Sequence, residues 1–424
     1  MIQNRSDLLN KKTKDALDCL EAGLEAARPE TFLAKFIKHD TILAPKKIYL
    51  SKYDKIYIVA VGKAADAMAK FVHTKINSDG GIVVVPQTHT PTFADKKFKI
   101  IRASHPIPNN AGIVAAKSII RLLKTAKKND FIIFLVSGGT SSLVCLPDGI
   151  TLKEKQALTQ KLLNCGASIK EINALRKHLS SVKGGKILET LGCGAVSYVM
   201  SDVIGDDLSS IASGLTYCDK TTFSDCLKVI TKYRLEGQIH KKILRHFKLG
   251  AQGKIPETPK APKIQNVLIA SNKDCITAVA KKAKNLGYKT KTLHPLSGNV
   301  RSAAAKILHS FPNGQKACLV FGGETTVKVT GSGKGGRNQE LVLRILKRSE
   351  PGVVVASIGT DGIDGNTKHA GAVSWLTPKK SEIDHYLRDN DSHSFFKKYG
   401  GLVMTGATHT NLLDIGLILK PQHL

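Results

Sequence analysis

Several things are scarce in this chain of 424 residues. Aromatic side chains make up 5% of it, with a single Trp, and none forms the interleaved basic–aromatic pattern of a base-stacking nucleic-acid module. The eight cysteines, Cys19, Cys145, Cys165, Cys193, Cys218, Cys226, Cys275 and Cys318, include no CxxC pair. That spacing excludes zinc knuckles and a disulfide framework, and fits free thiols in a reducing cytoplasm. No apolar run reaches transmembrane length, and the first twenty residues lack the apolar centre of a signal peptide, so no membrane association is expected. Acidic residues are few as well, 34 against 64 Lys and Arg, for a net charge of +30. Such a balance attracts anions, but the lysines are scattered rather than clustered, so no specific nucleic-acid partner is expected.

What is present is an alternation of apolar strands and amphipathic helices. Lys55–Val61, Gly81–Val85, Phe98–Ala103, Phe131–Val136 and Ala195–Met200 read as strands, with helices between them. A second series follows residue 263, with strands at Asn266–Ala270, Lys289–Leu293, Ala317–Phe321, Gly352–Ile358 and Leu402–Thr405. Between the series lies GAQGKIPETPKAPK, rich in Pro, Gly and Lys. This pattern predicts an α/β protein of two domains, 1–250 and 264–424, joined by a linker at 251–263, with mostly parallel strands.

Ligands of open α/β sheets bind beyond the carboxyl ends of the strands, so the polar turns there are the candidate sites. Gly62-Lys63 follows the first strand, and Lys63 is expected to open a helix. Ser137-Gly138-Gly139-Thr140-Ser141-Ser142 follows the most apolar strand and offers hydroxyls and glycine N–H groups to an anion; a tight strand–helix turn would use the same residues. Asp202 follows Ala195–Met200, where a carboxylate suits a metal or a proton, while Asp206 and Asp207 fit a turn and helix cap. His105 is expected to be structural.

The densest stretch is FGGETTVKVTGSGKGGRNQEL, 321–341. The strand is expected to stop at Gly322-Gly323, ahead of Glu324. Gly333, Lys334, Gly335 and Gly336 then precede Arg337 and a helix. Such a loop fits a phosphate cradle at a helix N-terminus, with Glu324 beside it as a Mg²⁺ ligand; it fits a glycine-rich hairpin with solvated charges too. Asp361 and Asp364 follow a further strand in GTDGIDG.

VGKAADAMAK (61–70), SHPIPNNAG (104–112), LVSGGTSSLV (135–144), GASIKEINALRKHLSSVKGGKI (166–187), SDVIGDDLSSIASG (201–214), the 321–341 stretch, GTDGIDG (359–365) and TGATHTNLLD (405–414) occur together in this order. In this the chain resembles the glycerate 2-kinases of the MOFRL type over nearly its whole length. The resemblance implies ATP- and Mg²⁺-dependent phosphorylation of D-glycerate at the 2-hydroxyl. It implies a Rossmann-like α/β/α sandwich N-terminal domain, a smaller α/β C-terminal domain and an active site in the cleft between them. It places functional cations at Lys63 and Arg337, which meet the glycerate carboxylate and the transferring phosphate in either order. Asp202, Glu324 and Asp361 become the acidic positions, with Asp202 as base or metal ligand. Ser137, Gly138, Gly139, Thr140 and Ser141, with Gly333, Lys334, Gly335 and Gly336, become the phosphate-binding turns. The chain departs from the family pattern at Leu215, Asn366, Lys368, Ala407 and His409. Two other readings are a hydroxypyruvate reductase, which lacks its G-x-G-x-x-G turn here, and a non-enzymatic anion- or nucleic-acid-binding protein.

Overall fold

The computed structural model describes residues 1–93 and 95–421. The chain folds as two compact units, one of residues 33–269 and one combining 1–32 with 270–424. This differs from the expected division in two respects. The first 32 residues join the C-terminal unit, where Gln3 N donates to the Met404 carbonyl at 2.7 Å and Thr410 Oγ1 to Ala27 O at 3.0 Å. The helix Lys14–Ala26 presents Gly23 to Ile415 and Val279, and a Cβ there would lie 2.6 Å from each. The segment 251–263 is part of the first unit rather than a linker. Glu257 accepts from Phe223 N and bonds His178, Thr258 is buried against Asp219, and Lys263 donates to Leu188 O at 2.8 Å. Its polarity serves these bonds, which composition alone does not separate from solvation.

In the 33–269 unit the main sheet comprises β1 Ile56–Val61, β2 Gly80–Pro86, β3 Phe98–Ala103, β4 Phe131–Val136, β5 Gly194–Met200 and β6 Gln265–Ala270. Their spatial order is 3-2-1-4-5-6, and the first five pair in parallel. Every residue of β4 is buried, as a central strand covered on both faces requires. Val59, Val61, Phe134 and Ile119 centre the core. A separate helical core around Leu162, Leu175, Phe223 and Phe247 carries α1 Leu152–Asn164 and α2 Ile169–His178. Each of these helices starts in a reciprocal cap, Thr151 with Glu154 and Ser168 with Glu171, of a kind worth about 1 kcal/mol. A small antiparallel sheet of residues 37–49 completes the unit.

The other unit has a six-stranded sheet ordered β7-β8-β12-β9-β10-β11, from β7 Lys289–Asn299, β8 Ala317–Thr326, β9 Val354–Gly359, β10 Gly371–Ser374, β11 Leu402–Val403 and β12 Asp414–Lys420. Only β7 and β8 pair in parallel; the remaining ladders are antiparallel, against the expectation of mostly parallel strands. β12 enters between β8 and β9 in the opposite direction to both, and β10 and β11 continue the antiparallel order beyond β9. β8 does not stop at Gly322-Gly323 but runs on to Thr326. Both glycines stay in the ladder because neighbours fill their Cβ positions: Ile276 and Asn272 at Gly322, the Leu296 backbone at Gly323. After α3 Arg337–Leu346 the chain leads into β9.

Candidate active-site residues

In the 33–269 unit the order of strands reverses between β1 and β4, where a doubly wound sheet opens its ligand crevice. The turns after these two strands hold Lys63 and Ser137–Ser142. They are stitched together: Lys63 N donates to Gly138 O at 2.8 Å, Ala64 N to Ser137 Oγ at 3.1 Å, and Thr140 Oγ1 to Val61 O at 2.9 Å. Gly62 has φ +128°, and a Cβ there would lie 2.1 Å from Ser137 Oγ, so only glycine fits. The hydroxyls of Ser137 and Thr140 are therefore directed inward and fully buried, contrary to their expected role as anion donors. The helix they begin, Thr140–Leu143, is one turn long.

What the turn leaves toward solvent is Gly139 and Ser141. The remaining candidates converge here. A Cβ on Gly138 would lie 2.5 Å from Asp202 Oδ2, and one on Gly139 would lie 3.0 Å from the His105 ring and 3.6 Å from Lys63 Cγ. Lys63, His105 and Asp202 thus surround two consecutive glycines. Partial burial, then the charge of Lys63, lowers the pKa of His105 and favours its neutral ring. Ser141 Oγ bonds Ser213 Oγ at 2.8 Å, and Ser213 donates to Asn173 on α2. To reach it, Ala212 and Ser213 take left-handed backbone, φ +56° and +53°, a strain of the kind concentrated at working sites. Asp207 is a turn cap, as expected, bonded to Ser209 and Ser210.

In the other unit Arg337 opens α3 with its guanidinium held from two sides. Nε and one terminal nitrogen bond Asp414 at 2.6 and 3.1 Å, and the other terminal nitrogen bonds Glu324. Burial opposes the charge, but Asp414 and then Glu324 keep Arg337 protonated well above its ordinary range. Burial lifts the Asp414 carboxyl to about 7, with Arg337 drawing it down. Asp414 went unnoticed in the sequence because its signal is only the last letter of TGATHTNLLD. Asp361 adjoins the group, since a Cβ on Gly359 would lie 3.2 Å from Asp361 Oδ1 and 3.5 Å from Asp414 Oδ1. A cavity of about 540 Å³ beside Arg337 is lined by Thr325, Val329, Gly335, Asp361 and Ile363.

The glycine loop before Arg337 is not an open cradle. Gly331 N donates to Asn390, Ser332 N to Asp389, Gly333 N to the Asp389 carbonyl, Lys334 N to Asp391 and Gly335 N to Asn366. The first turn of α3 is capped by buried Asp364, which accepts from Asn338 N at 3.0 Å and Gln339 N at 2.9 Å. The protein's own carboxylate holds the place an anion would take. The glycines are explained by contact: a Cβ on Gly333 would lie 2.4 Å from Asp391, one on Gly335 2.2 Å from Ser392, one on Gly336 2.3 Å from Asp364. The N–H groups of Gly333, Lys334 and Gly335 are thus engaged within the protein, while Gly333, Gly335 and Gly336 line the cavity beside Arg337. Two departures from the family pattern fit this local structure. Asn366 N donates to Gly335 O, which a Pro cannot do, and His409 keeps the left-handed φ of +55° that suits glycine.

Among the described residues no group of three His, Cys, Asp or Glu side chains forms a metal cage. Asp202 belongs to the 33–269 unit and Glu324 and Asp361 to the other, and the Glu324 carboxylate is paired with Arg337. No described helix is long and apolar enough to cross a membrane.

The description "Domain of unknown function (DUF4147)" matches residues 15–248, and "MOFRL family" matches 317–414. A protein of Pyrococcus horikoshii named glycerate 2-kinase is 35% identical, over 94% of this chain and 97% of its own length. The crystal structure of glycerate kinase from Thermotoga maritima superposes with a TM-score of 0.83 at 36% identity, over 96% of this chain and 99% of that one. A relative from Agrobacterium vitis, 35% identical over 85% of this chain and 86% of its own length, carries a provisional hydroxypyruvate reductase name. The chain belongs to the glycerate 2-kinase family of the DUF4147–MOFRL type.

Proposed function

We propose that this chain is a glycerate 2-kinase that transfers the γ-phosphoryl group of ATP to the 2-hydroxyl of D-glycerate, giving 2-phosphoglycerate and ADP. Family membership supports the reaction class, and one observation supports the residues: Lys63 and Asp202 flank the consecutive glycines Gly138 and Gly139 at the strand-order reversal. Phosphoryl transfer is chiefly positioning and charge neutralisation, so a cation and a carboxylate beside an open backbone turn are suitable groups. Lys63 and Arg337 meet the glycerate carboxylate and the transferring phosphoryl group. Arg337 is fixed in direction by Asp414 and Glu324, which orients its remaining N–H bonds. Asp202 either accepts the proton of the 2-hydroxyl or serves as a metal ligand.

Mg²⁺ suits such a site because it takes only one or two carboxylates and completes its shell with phosphates and water. The Asp202 carboxylate lies where a Cβ on Gly138 would stand, directly over the turn, and this is the place we assign to it. Asp361, with Glu324 behind Arg337, organises the acidic side of the second group. When bound with ATP, the ion supplies charge neutralisation.

The reductase name has no matching turn. After β1 the chain reads Gly62-Lys63-Ala64-Ala65-Asp66, and Ser137 fills the space above Gly62. Purified protein given D-glycerate, ATP and Mg²⁺ should release ADP in a coupled assay and leave NAD(P)H untouched with hydroxypyruvate. NAD(P)H oxidation without ADP release would reverse the assignment; neither activity, with retained DNA binding at physiological salt, would favour the binding protein.

A further inference from the structure

Five cations gather between α1 and the segment after α2: Lys155, Arg176, Lys177, Lys183 and Lys186. Four of them, all but Arg176, are buried lysines. Two have carboxylates, Lys177 with Asp219 at 3.2 Å and Lys186 with Asp148 at 3.8 Å. Lys155 donates to the Leu179 carbonyl at 2.7 Å. Lys183 has none of these. Its side chain is 0% exposed, and its Nζ has no hydrogen-bond partner among the described residues. Arg176 is half-buried and pairs with no described carboxylate. A buried ammonium without an acceptor is strongly unfavourable, and neighbouring positive charge makes it worse. Burial, then Arg176 and Lys155, lowers the pKa of Lys183, with only Cys145 among the leading influences opposing.

We propose that Lys183 and Arg176 form a phosphoryl-anion site, with Lys183 at its base and Arg176 at its solvent side. A tetrahedral oxyanion of charge near −2 matches two unpaired cations, one of them a guanidinium fork that takes two oxygens. Hydrogen bonds link α2, which carries Arg176, to the turn after β4. Asn173 and Arg176 are three apart on α2 and share a face, and Asn173 reaches Ser141 through Ser213. The strained backbone at Ala212–Ser213 completes this connection. The kinase reading supplies three sources of that anion, the phosphates of ATP or ADP, 2-phosphoglycerate and free phosphate; the site itself stands on the unpaired cations.

The test is thermal unfolding and calorimetric titration of the full chain with inorganic phosphate, against chloride at equal ionic strength. Wild type should gain about 5–10 °C in Tm at ~100 times Kd. Lys183→Met should melt no lower than wild type without phosphate, because it removes a buried amine that has no hydrogen-bond partner, and should lose the phosphate shift. Arg176→Gln should weaken phosphate at least tenfold and decides the matter if Lys183→Met does not fold. Titrations with ADP and with 2-phosphoglycerate assign the anion: whichever loses affinity in the variants is the source. Equal phosphate shifts in wild type and variants, or no shift in wild type beyond chloride, would overturn the site. An active kinase with that result loses only this inference; an inactive protein that keeps the Lys183-dependent shift loses only the kinase reading.

Discussion

Two glycine-bearing turns in this protein look alike as sequence and differ as structure. In 331–336 five backbone donors are already used, because Gly331, Ser332, Gly333, Lys334 and Gly335 give their N–H groups to the 389–391 segment and Asn366. In 137–142 the hydroxyls of Ser137 and Thr140 are used, but Gly138 and Gly139 lie between Lys63, His105 and Asp202. Glycine allows backbone to approach either an anion or another part of the chain. Where the neighbouring N–H groups go decides between the two.

That comparison can be broken by substitution. The largest effect is expected at Arg337: Arg337→Lys loses the fork that engages Asp414 and Glu324 and should cut kcat/KM by roughly 10²–10³, with the fold intact by circular dichroism. Normal kinetics in the folded variant would remove Arg337 from the site. Lys63→Ala should lower kcat/KM by about 10²-fold with the fold intact by circular dichroism; unchanged steady-state constants would make Lys63 a bystander. Gly138→Ala places a methyl group 2.5 Å from Asp202 Oδ2, so the carboxylate must move. Its kcat should fall about tenfold or more with a small change in Tm, and full activity would separate Asp202 from the chemistry.

Much of the first unit was legible in the sequence, because buried parallel strands read as unbroken apolar runs and end in polar turns. Phe131–Val136 matches its strand residue for residue. The second unit was less legible. Its antiparallel order depends on Asp414–Lys420, a strand beyond the last expected one, and on pairing between residues nearly a hundred apart. Lys63 and Asp202 stand out in the sequence as chemistry-bearing letters at strand ends, and Arg337 as one at a helix start. Asp414, Asn173, Arg176 and Lys183 were missed because what distinguishes them is who faces them, and Lys183 read as one more basic residue in a chain of +30.

A smaller effect lies in pH. Burial lowers the Lys155 ammonium from 10.5 to about 7, aided by Arg176 and Lys186 and opposed by Cys145 and Asp148. Between those values the unfolded chain binds more protons than the folded one, so stability should rise with pH from about 7 toward 10.5 and be lost as pH falls through 7. Lys155→Met should flatten this rise in Tm; an unaltered profile would show that Lys155 is not its source.

The most direct test of the contrast is the KM for ATP in Gly333→Ala. The added methyl group meets the backbone of Asp389 and Asp391, at 2.6 and 2.7 Å. If this loop is held by packing and phosphates are handled at Gly138–Gly139, Tm should fall, by the ~1–3 kcal/mol typical of overpacking, while KM for ATP stays within about twofold. A KM raised tenfold or more at unchanged Tm would make 331–336 the phosphate cradle and contradict the account.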